Sequence, residues 1–267
     1  MSDFSFEPIP PRLTPSSQPL EEEPEPDPNR IPTPPLRRSI YPHPHAPTWY
    51  VNVVPYNPTW PEQFLIIKSH LHNLLETSSP AAPYLTIEHV GSTSVPGLAA
   101  KPNIDVLATF SSQEALEAAM EALNWEIPIA PPFVKYTQIP RGGGIPGRES
   151  FKIYLFDYSP YYASTPERSL YLIADTEENW AGRVQIRCYR TVREVLRMGE
   201  NRDLLEVYAA VKTELGKQTF QNSLEYSARK DEIVRKILLR GRWTEEEVKA
   251  KEDLSRREWV VDADDDY

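Results

Sequence analysis

Cysteine is nearly absent from this chain of 267 residues, and the one present is Cys188. A single thiol excludes an intramolecular disulfide and a zinc site built from several cysteines. No apolar run approaches the roughly 18 residues that a membrane-spanning helix needs. Residues 1–8 also lack the charged-then-apolar layout of a signal peptide. We therefore expect a cytoplasmic protein that does not associate with a membrane.

The chain also has no excess of positive charge, because its formal net charge is -10 at pH 7. Proteins that bind DNA or RNA through bulk electrostatics usually carry a basic stripe on their surface. We therefore do not expect bulk nucleic-acid binding. The acidic balance leaves open the binding of one nucleotide in a local basic pocket.

The N-terminal segment, residues 1–47, contains half of the 28 prolines of the chain. Its stretch 21–28 is both acidic and proline-rich, so it buries little apolar surface and is expected to be disordered. The stretch 32–37, with the sequence PTPPLR, has PxxP-like character. The segment is therefore either a solvated tail or a docking peptide for a protein partner.

Hydrophobic periodicity predicts both strands and helices after this segment. Alternating or β-branched runs predict strands at 49–54, 84–90, 104–110, 134–138, 151–156, 170–174 and 184–188. Apolar residues three to four positions apart predict helices at 61–76, 111–123, 204–215 and 226–238, with helical structure from 191 and a last helix from 244. Ser/Thr-x-x-Glu capping boxes start three of these segments, namely Ser111 with Glu114, Thr191 with Glu194, and Thr244 with Glu247.

This element order predicts an α/β (α+β) fold, with a mixed sheet flanked by helices and a helical C-terminal block. We divide the chain into three parts: the disordered tail 1–47, a folded domain 48–240, and a charged helix with an acidic tail over 241–267.

The stretch 87–105, IEHVGSTSVPGLAAKPNID, has the pattern of a phosphate-binding loop. A strand that runs into a Gly/Ser/Thr turn exposes backbone N–H groups to phosphate oxygens, here at Gly91–Ser94, that is Gly91, Ser92, Thr93 and Ser94. Lys101 could neutralise phosphate charge, and Asp105, which opens the next strand, could hold Mg²⁺. The alternative is an ordinary turn with Asp105 as a strand-edge acid.

Three further residues are candidates for the same site. Glu88 could supply a second carboxylate for the metal, or it could pair with Lys101 or an arginine. Arg148 and Lys152 could clamp a triphosphate, since arginine favours bidentate phosphate contacts, or they could be surface residues.

Three more residues have alternative roles. His89 lies on the face of its strand opposite to Glu88, and we interpret it as supporting the loop by hydrogen bonding rather than as a metal ligand. Tyr226 and Lys230 are one helical turn apart. They could face the cleft or pack a helix.

The sequence resembles the GrpB family in several ordered blocks. The signature is EHVGSTSVPGL at 88–98, followed by KP at 101–102 and ID at 104–105. Similar blocks occur at 54–64, at 144–148 and in the C-terminal helices, so the resemblance runs from about residue 50 to 240. It implies the fold of the nucleotidyltransferase superfamily, in which a Gly-Ser turn holds the phosphates of a nucleoside triphosphate and acidic residues bind Mg²⁺.

The chain departs from these patterns at two places. The superfamily commonly has two acids separated by one residue, whereas Asp105-Val106-Leu107 supplies one. The family tends to have a His-x-His pair on a central strand, and Ser169 and Tyr171 stand in its place.

The resemblance implies a Mg²⁺-dependent nucleotidyltransferase with an unknown acceptor, in which Asp105 and Glu88 serve as catalytic and metal-binding residues. The alternative, motivated by the two departures, is a catalytically degenerate fold that acts as a nucleotide- or metabolite-binding module or as a protein-interaction module. The chain lacks a Walker-type GxxxxGK[ST] sequence, so no kinase activity is expected.

Overall fold

A five-stranded mixed sheet and seven α-helices make up most of the part of the chain that the structure describes. The structure is a computed structural model, and it describes residues 49–78, 84–124, 137–139, 146–153, 167–220 and 223–255. The strands are β1 (Trp49–Tyr50), β2 (Tyr84–Val90), β3 (Asn103–Phe110), β4 (Thr137–Ile139), β5 (Glu149–Ile153), β6 (Glu167–Ala174) and β7 (Thr219–Phe220). The helices are α1 (Trp60–Ser78), α2 (Gln113–Asn124), α3 (Trp180–Arg197), α4 (Arg202–Leu215), α5 (Ser223–Ala228), α6 (Asp231–Arg240) and α7 (Glu245–Ser255).

Some predictions fall outside this range. The tail 1–47 and the acidic C-terminal tail lie outside the described residues. Of the helices that are described, none is both long and apolar enough to cross a membrane.

The strand order of the sheet is β2-β3-β6-β5-β4. The pair β3–β6 is parallel and the other three pairs are antiparallel. This arrangement confirms the predicted α/β class with a mixed sheet. The first predicted strand is shorter than expected, because β1 has two residues that pair with β7, and Val54 forms an isolated bridge to Ala100.

The two faces of β3 pack against different helices. Val106 and Phe110 are fully buried in the core that the sheet forms with α1 and α2. Leu107 points to the other face, where it shares a core cluster with Ile186 of α3. Because side chains alternate along a strand, Asp105 lies on the α3 face with Leu107.

The predicted strand 184–188 is wrong, because these residues belong to helix α3. The sequence Val-Gln-Ile-Arg-Cys alternates apolar and polar residues, which also matches the period of a strand. In the structure the buried positions of the helix include Gly182, Gln185 and Ile186, at helical spacing.

The predicted capping box of Thr191 and Glu194 is also wrong, since both residues lie inside α3. The helix is capped at Asn179, whose side-chain oxygen accepts from the Gly182 N–H at 3.0 Å. Thr191 instead accepts a hydrogen bond from the Trp243 indole N–H at 3.0 Å.

The other two capping predictions have different outcomes. Helix α2 is capped by Ser112 rather than Ser111, because the Ala115 N–H donates to Ser112 Oγ at 3.2 Å. The box of Thr244 and Glu247 is confirmed. The Glu247 N–H donates to Thr244 Oγ1 at 3.1 Å and the Thr244 N–H donates to Glu247 Oε2 at 2.8 Å. A cap of this kind typically contributes about 1 kcal/mol.

The C-terminal helices pack on the segment between β2 and β3. Val95 and Leu98 of this segment share a core cluster with Val195 of α3, Tyr208 of α4 and Ile237 of α6. This packing places side chains of α4 and of the α5–α6 turn next to the loop that is predicted to bind phosphate.

Candidate functional site

The loop after β2 contains one 3-10 turn, Ser92–Ser94, that is held by its own side chains. Thr93 Oγ1 donates to the Asn103 carbonyl at 3.2 Å, and Ser94 Oγ donates to the Gly91 carbonyl at 2.6 Å. Thr93 and Ser94 are both buried. Their hydroxyls therefore stabilise the loop itself, which differs from the predicted role of contacting phosphate.

Gly91 brings the loop and Asp105 into direct contact. Its φ of 69° lies in the left-handed region that favours glycine. A Cβ at this position would lie 2.2 Å from Asp105 Oδ2, so a larger residue has no space. The structure thus places the carboxylate beside the loop, as the sequence indicated.

The Asp105 carboxylate is oriented by its neighbours in the sheet. Oδ1 accepts from Asn103 Nδ2 at 2.9 Å and from the Tyr171 hydroxyl at 3.1 Å. Ser169 stands opposite Asp105 in the β3–β6 register, and its hydroxyl lies 3.3 Å from Asn103 Nδ2. The two residues aligned with the family's His-x-His pair therefore adjoin Asp105, where they supply hydroxyls instead of imidazoles.

Lys101 and Lys230 lie near the same aromatic ring. Their Nζ atoms are 5.7 and 4.2 Å from the ring centroid of Tyr226. Burial and the charge of Lys101 lower the pKa of Lys230 to about 7, and the charge of Asp105 acts in the opposite direction. The charges of Lys101 and Asp105 are therefore close enough to Lys230 to change its pKa. This position of Lys230 favours the cleft-facing alternative over simple helix packing.

Lys212 of α4 completes this group, which we call the lysine cluster: Lys101, Lys212 and Lys230. Lys212 is 3% exposed, and its Nζ lies 5.1 Å from the ring centroid of Tyr208. Burial, then the charges of Lys230 and Lys101, hold its pKa well below the ordinary value. Among the described residues, neither Lys212 nor Lys230 forms an ion pair with a carboxylate.

Tyr208 connects the lysine cluster to the loop. Burial raises the pKa of Tyr208 to about 12, and its hydroxyl shares a hydrogen bond with the side chain of Ser92. Ser92 is half-buried, in contrast to the buried Thr93 and Ser94. Ser92 is therefore the loop hydroxyl placed between the turn and the lysines.

Arg148 is buried behind the site rather than exposed on the surface. Its guanidinium donates to the Tyr189 hydroxyl and lies 4.5 Å from the ring centroid of Tyr171. The rings of Tyr171 and Tyr189 are stacked at 5.1 Å. Lys152 lies opposite Ser169 in the β5–β6 register, and its side chain is outside the described part.

Glu88 is engaged by two arginines of α3. Its carboxylate accepts from Arg190 at 2.9 and 2.6 Å and from Arg193 at 2.9 Å. Burial alone would raise the pKa of Glu88, but the hydrogen bonds from Arg190 and Arg193 outweigh it and the pKa is lowered. Of the two alternatives for Glu88, this geometry matches pairing with an arginine.

His89 supports the loop from the other face of β2. Its Nε2 lies 3.0 Å from Thr93 Oγ1, and its ring stacks on Phe64 with centroids 4.9 Å apart. Burial, with the charges of Arg197 and Arg193, lowers its pKa to about 4. The imidazole is therefore neutral near pH 7, and its contacts match the loop-supporting interpretation.

The residues around Asp105 do not fit a Mg²⁺ ion held by the protein. The described residues contain no group of three or more His, Cys, Asp or Glu side chains that could hold a metal ion. Transferase sites hold Mg²⁺ with one or two carboxylates and substrate phosphates. Here the lysine cluster stands near Asp105, and protonated lysines repel a dication. The set of donors fits an anion instead.

Lys212 and Tyr208 are site residues that the sequence pattern did not indicate. Two lysines of the C-terminal block follow a tyrosine by four positions, in the pairs Tyr208–Lys212 and Tyr226–Lys230. Residues at this spacing lie on one face of a helix. The repetition of the pair is the signal that could have identified both.

Known structures and sequences resemble the chain to different extents. The crystal structure of conserved protein GrpB from Enterococcus faecalis covers 74% of this chain and 98% of its own, with 25% identity and a TM-score of 0.50. UPF0157 protein PA4798 from Pseudomonas aeruginosa is 47% identical over 79 residues, which is 28% of this chain. The chain spans about a third of the length of that relative, 31%.

A weaker likeness exists to Cid1 poly(U) polymerase with bound MgGTP, with a TM-score of 0.31 and 14% identity over 54% of this chain and 43% of that one. A likeness at this level does not bear on the ligand or metal of the present chain.

The family assignment rests on the longest match. A family model described as GrpB protein matches residues 50–240, which include the loop, Asp105 and the whole lysine cluster. The chain belongs to the GrpB family.

Proposed function

We propose that the chain binds a nucleoside triphosphate, with the phosphates held between the Gly91–Ser94 loop and the lysine cluster. One observation carries this proposal: three lysines from separate elements converge beside a glycine loop and the carboxylate of Asp105. A polyphosphate is the common cellular ligand that matches such a concentration of positive charge next to a Gly-Ser turn.

The proposal accounts for a basic site in an acidic protein. The chain has a net charge of -10, so general attraction between protein and ligand is unfavourable. Two of the lysines have lowered pKa values because of burial and mutual repulsion. An anion between them would relieve that repulsion, since an opposite charge within a few ångström favours the protonated form of an amine.

Transfer of a nucleotidyl group to an unknown acceptor, with Mg²⁺, stays a prediction from the family resemblance. It needs carboxylates at the metal, and Glu88 is held by Arg190 and Arg193. Recruitment of a protein partner through the segment 1–47 likewise stays a prediction. Binding is therefore the function that the geometry supports best.

The test is calorimetric titration of the full chain with ATP, GTP, CTP, UTP and inorganic tripolyphosphate, each with MgCl₂ and with EDTA. We expect at least one nucleoside triphosphate to bind more tightly than tripolyphosphate. Lys101→Ala should weaken that binding by roughly 10- to 150-fold, because a charge-assisted contact contributes about 1.5–3 kcal/mol. Lys68→Ala, at an exposed lysine on α1, is the matched control and should leave the affinity unchanged. Absence of binding for every nucleotide under both conditions would refute the proposal.

A further inference from the structure

We propose that the lysine cluster takes the place of a divalent cation, so that the site binds its polyphosphate ligand in metal-free form. This inference rests on the proposed function, and it adds which form of the ligand is recognised and which residues neutralise it. The three lysines come from different parts of the chain: the segment before β3, helix α4 and the turn before α6.

The first support is the burial of Lys212 and the partial burial of Lys230, neither of which forms an ion pair with a carboxylate among the described residues. Lys212 is 3% exposed and contacts the Tyr208 ring. Lys230 contacts the Tyr226 ring. Removing an ammonium group from water without an ion-pair partner is unfavourable. An anion between the lysines would lower this cost and favour their protonated forms.

The second support is the fixed position of Glu88, the candidate for a second metal ligand. Its two oxygens accept three N–H groups from Arg190 and Arg193. Thr86 Oγ1 donates to the same carboxylate at 3.1 Å. Coordination of a metal by Glu88 would require breaking these contacts and would take away the carboxylate that two partly buried arginines share.

Asp105 gives the sharpest distinction between the two ways of binding. In a metal-dependent site its carboxylate is a ligand, so Asp105→Asn removes binding. In a lysine-dependent site the same carboxylate repels the phosphates and offsets part of the lysine charge. Asp105→Asn then strengthens binding, while Asn keeps an oxygen that can accept from Asn103 and Tyr171.

The experiment measures ATP affinity of the full chain at pH 7 with EDTA and with MgCl₂. If ATP is not the tightest ligand, the best nucleotide from the first titration replaces it. We expect the affinity in EDTA to equal or exceed that in MgCl₂, because Mg²⁺ lowers the charge of the ligand. Asp105→Asn should tighten metal-free binding several-fold, and Lys212→Met should weaken it at least tenfold. Lys217→Met, an exposed lysine on the segment after α4, should have no effect.

The outcomes separate the inference from the proposed function. Binding that requires Mg²⁺ and is lost in Asp105→Asn would overturn the inference and leave nucleotide binding standing. Metal-free binding that Lys212→Met does not change would also overturn it. Failure of every nucleotide to bind under either condition would refute the proposed function itself. Should Lys212→Met fail to fold, Lys230→Gln gives the same comparison at a half-buried position, and the Asp105→Asn result decides independently of both.

Discussion

Two groups of cations adjoin the loop after β2, and they differ in how they are neutralised. The arginine group on α3 consists of Arg190, Arg193 and Arg197. Its members donate to Glu88, to the His89 carbonyl and to the Ser94 carbonyl, at distances from 2.6 to 3.1 Å. The lysine cluster instead lies beside tyrosine rings and the Asp105 carboxylate. The arginine group is thus held by acceptors of the protein, whereas Lys212 and Lys230 have no ion-pair partner among the described residues.

The difference separates a structural clamp from a ligand site. Guanidinium groups are planar and donate several N–H groups in fixed directions, so they suit acceptors that stay in place, such as backbone carbonyls. Ammonium groups are compact and their donors rotate, so they suit a ligand that enters and leaves. We therefore expect substitutions in the arginine group to reduce stability, and substitutions in the lysine cluster to reduce binding while stability is kept or raised.

The largest expected effect comes from breaking the arginine group at its carboxylate. Glu88→Ala removes the carboxylate that Arg190 and Arg193 share, and the side chains of these arginines are 33% and 13% exposed. We expect a loss of about 3 kcal/mol in the free energy of unfolding, between the value of an exposed pair and that of a buried pair. Urea unfolding followed by circular dichroism measures it.

The control for this substitution is Glu194→Ala. Glu194 also pairs with Arg193, at 3.2 Å, but its side chain is 58% exposed. We expect a change within about 0.5 kcal/mol, because solvent screens exposed pairs. Equal losses for the two variants would show that the arginine group does not clamp the loop.

Much of the fold could be predicted from local patterns. The strand β2 was predicted with the observed bounds, and β3 within one residue, because buried apolar runs next to turn residues are unambiguous. Helix α3 was missed over residues 184–188, where a short window fits two periods. A longer window contains Arg183, Arg187, Arg190, Arg193 and Arg197, three to four residues apart, which marks the polar face of a helix.

The candidate site was only half predictable, for a different reason. The contact of Gly91 with Asp105 follows from the strand order and the loop length, so it could be predicted from the sequence. Lys212 and Lys230 lie more than 100 residues beyond the loop, and lysines on helices are mostly exposed. Their approach to Asp105 depends on how α4 and α6 pack on Val95 and Leu98, which no local pattern specifies.

The next effect concerns Gly91, which contacts Asp105 in the loop after β2. Gly91→Ala combines a positive φ with a Cβ that would lie 2.2 Å from Asp105 Oδ2. We expect a loss of at least about 2 kcal/mol in the free energy of unfolding, since a residue other than glycine at this φ and at ψ -171° costs about 1–3 kcal/mol before the steric contact is added. Nucleotide affinity should fall as well, because the carboxylate and the loop must move apart.

Gly97→Ala is the control that separates backbone strain from the steric contact with Asp105. Gly97 has a φ of 82°, yet a Cβ there meets nothing within 4 Å. It therefore reports backbone strain alone, expected at about 1 kcal/mol, and it should leave nucleotide affinity unchanged. If both alanine variants lose affinity equally, contact with Asp105 is not what Gly91 provides.

A smaller effect of opposite sign is expected from Lys212→Met. The substitution replaces a buried ammonium group, whose pKa is lowered mainly by burial, with an apolar side chain of similar length. Replacing buried charge by apolar groups is often neutral or stabilising by roughly 1–4 kcal/mol, and we expect about 1 kcal/mol. Thermal unfolding measures it, and Lys217→Met, at 64% side-chain exposure, should change the midpoint very little. A marked destabilisation by Lys212→Met would place Lys212 with the arginine group.

The smallest effect is a dependence of stability on pH that arises from Lys230. Its pKa is about 7 in the folded chain and its ordinary value is 10.5. Between these values the unfolded chain binds more protons at this side chain than the folded chain does. The free energy of unfolding therefore rises with pH over this window, relative to a variant without the amine.

Between pH 7 and 9 we expect the free energy of unfolding of the wild type to rise relative to that of Lys230→Met. The rise should be less than about 0.5 kcal/mol per pH unit. This lies below the single-proton limit of about 1.4, because Lys230 is half-buried and water screens its charge. Lys101, Asp105, Asp231 and Lys251 also act on Lys230, and they are common to both proteins. The control is Lys236→Met, at an exposed lysine on α6, for which the difference from wild type should not vary with pH. A constant difference for Lys230→Met too would mean that its amine does not share the electrostatic environment of the cluster, and the contrast with the arginine group would then rest on Lys212 and Lys101.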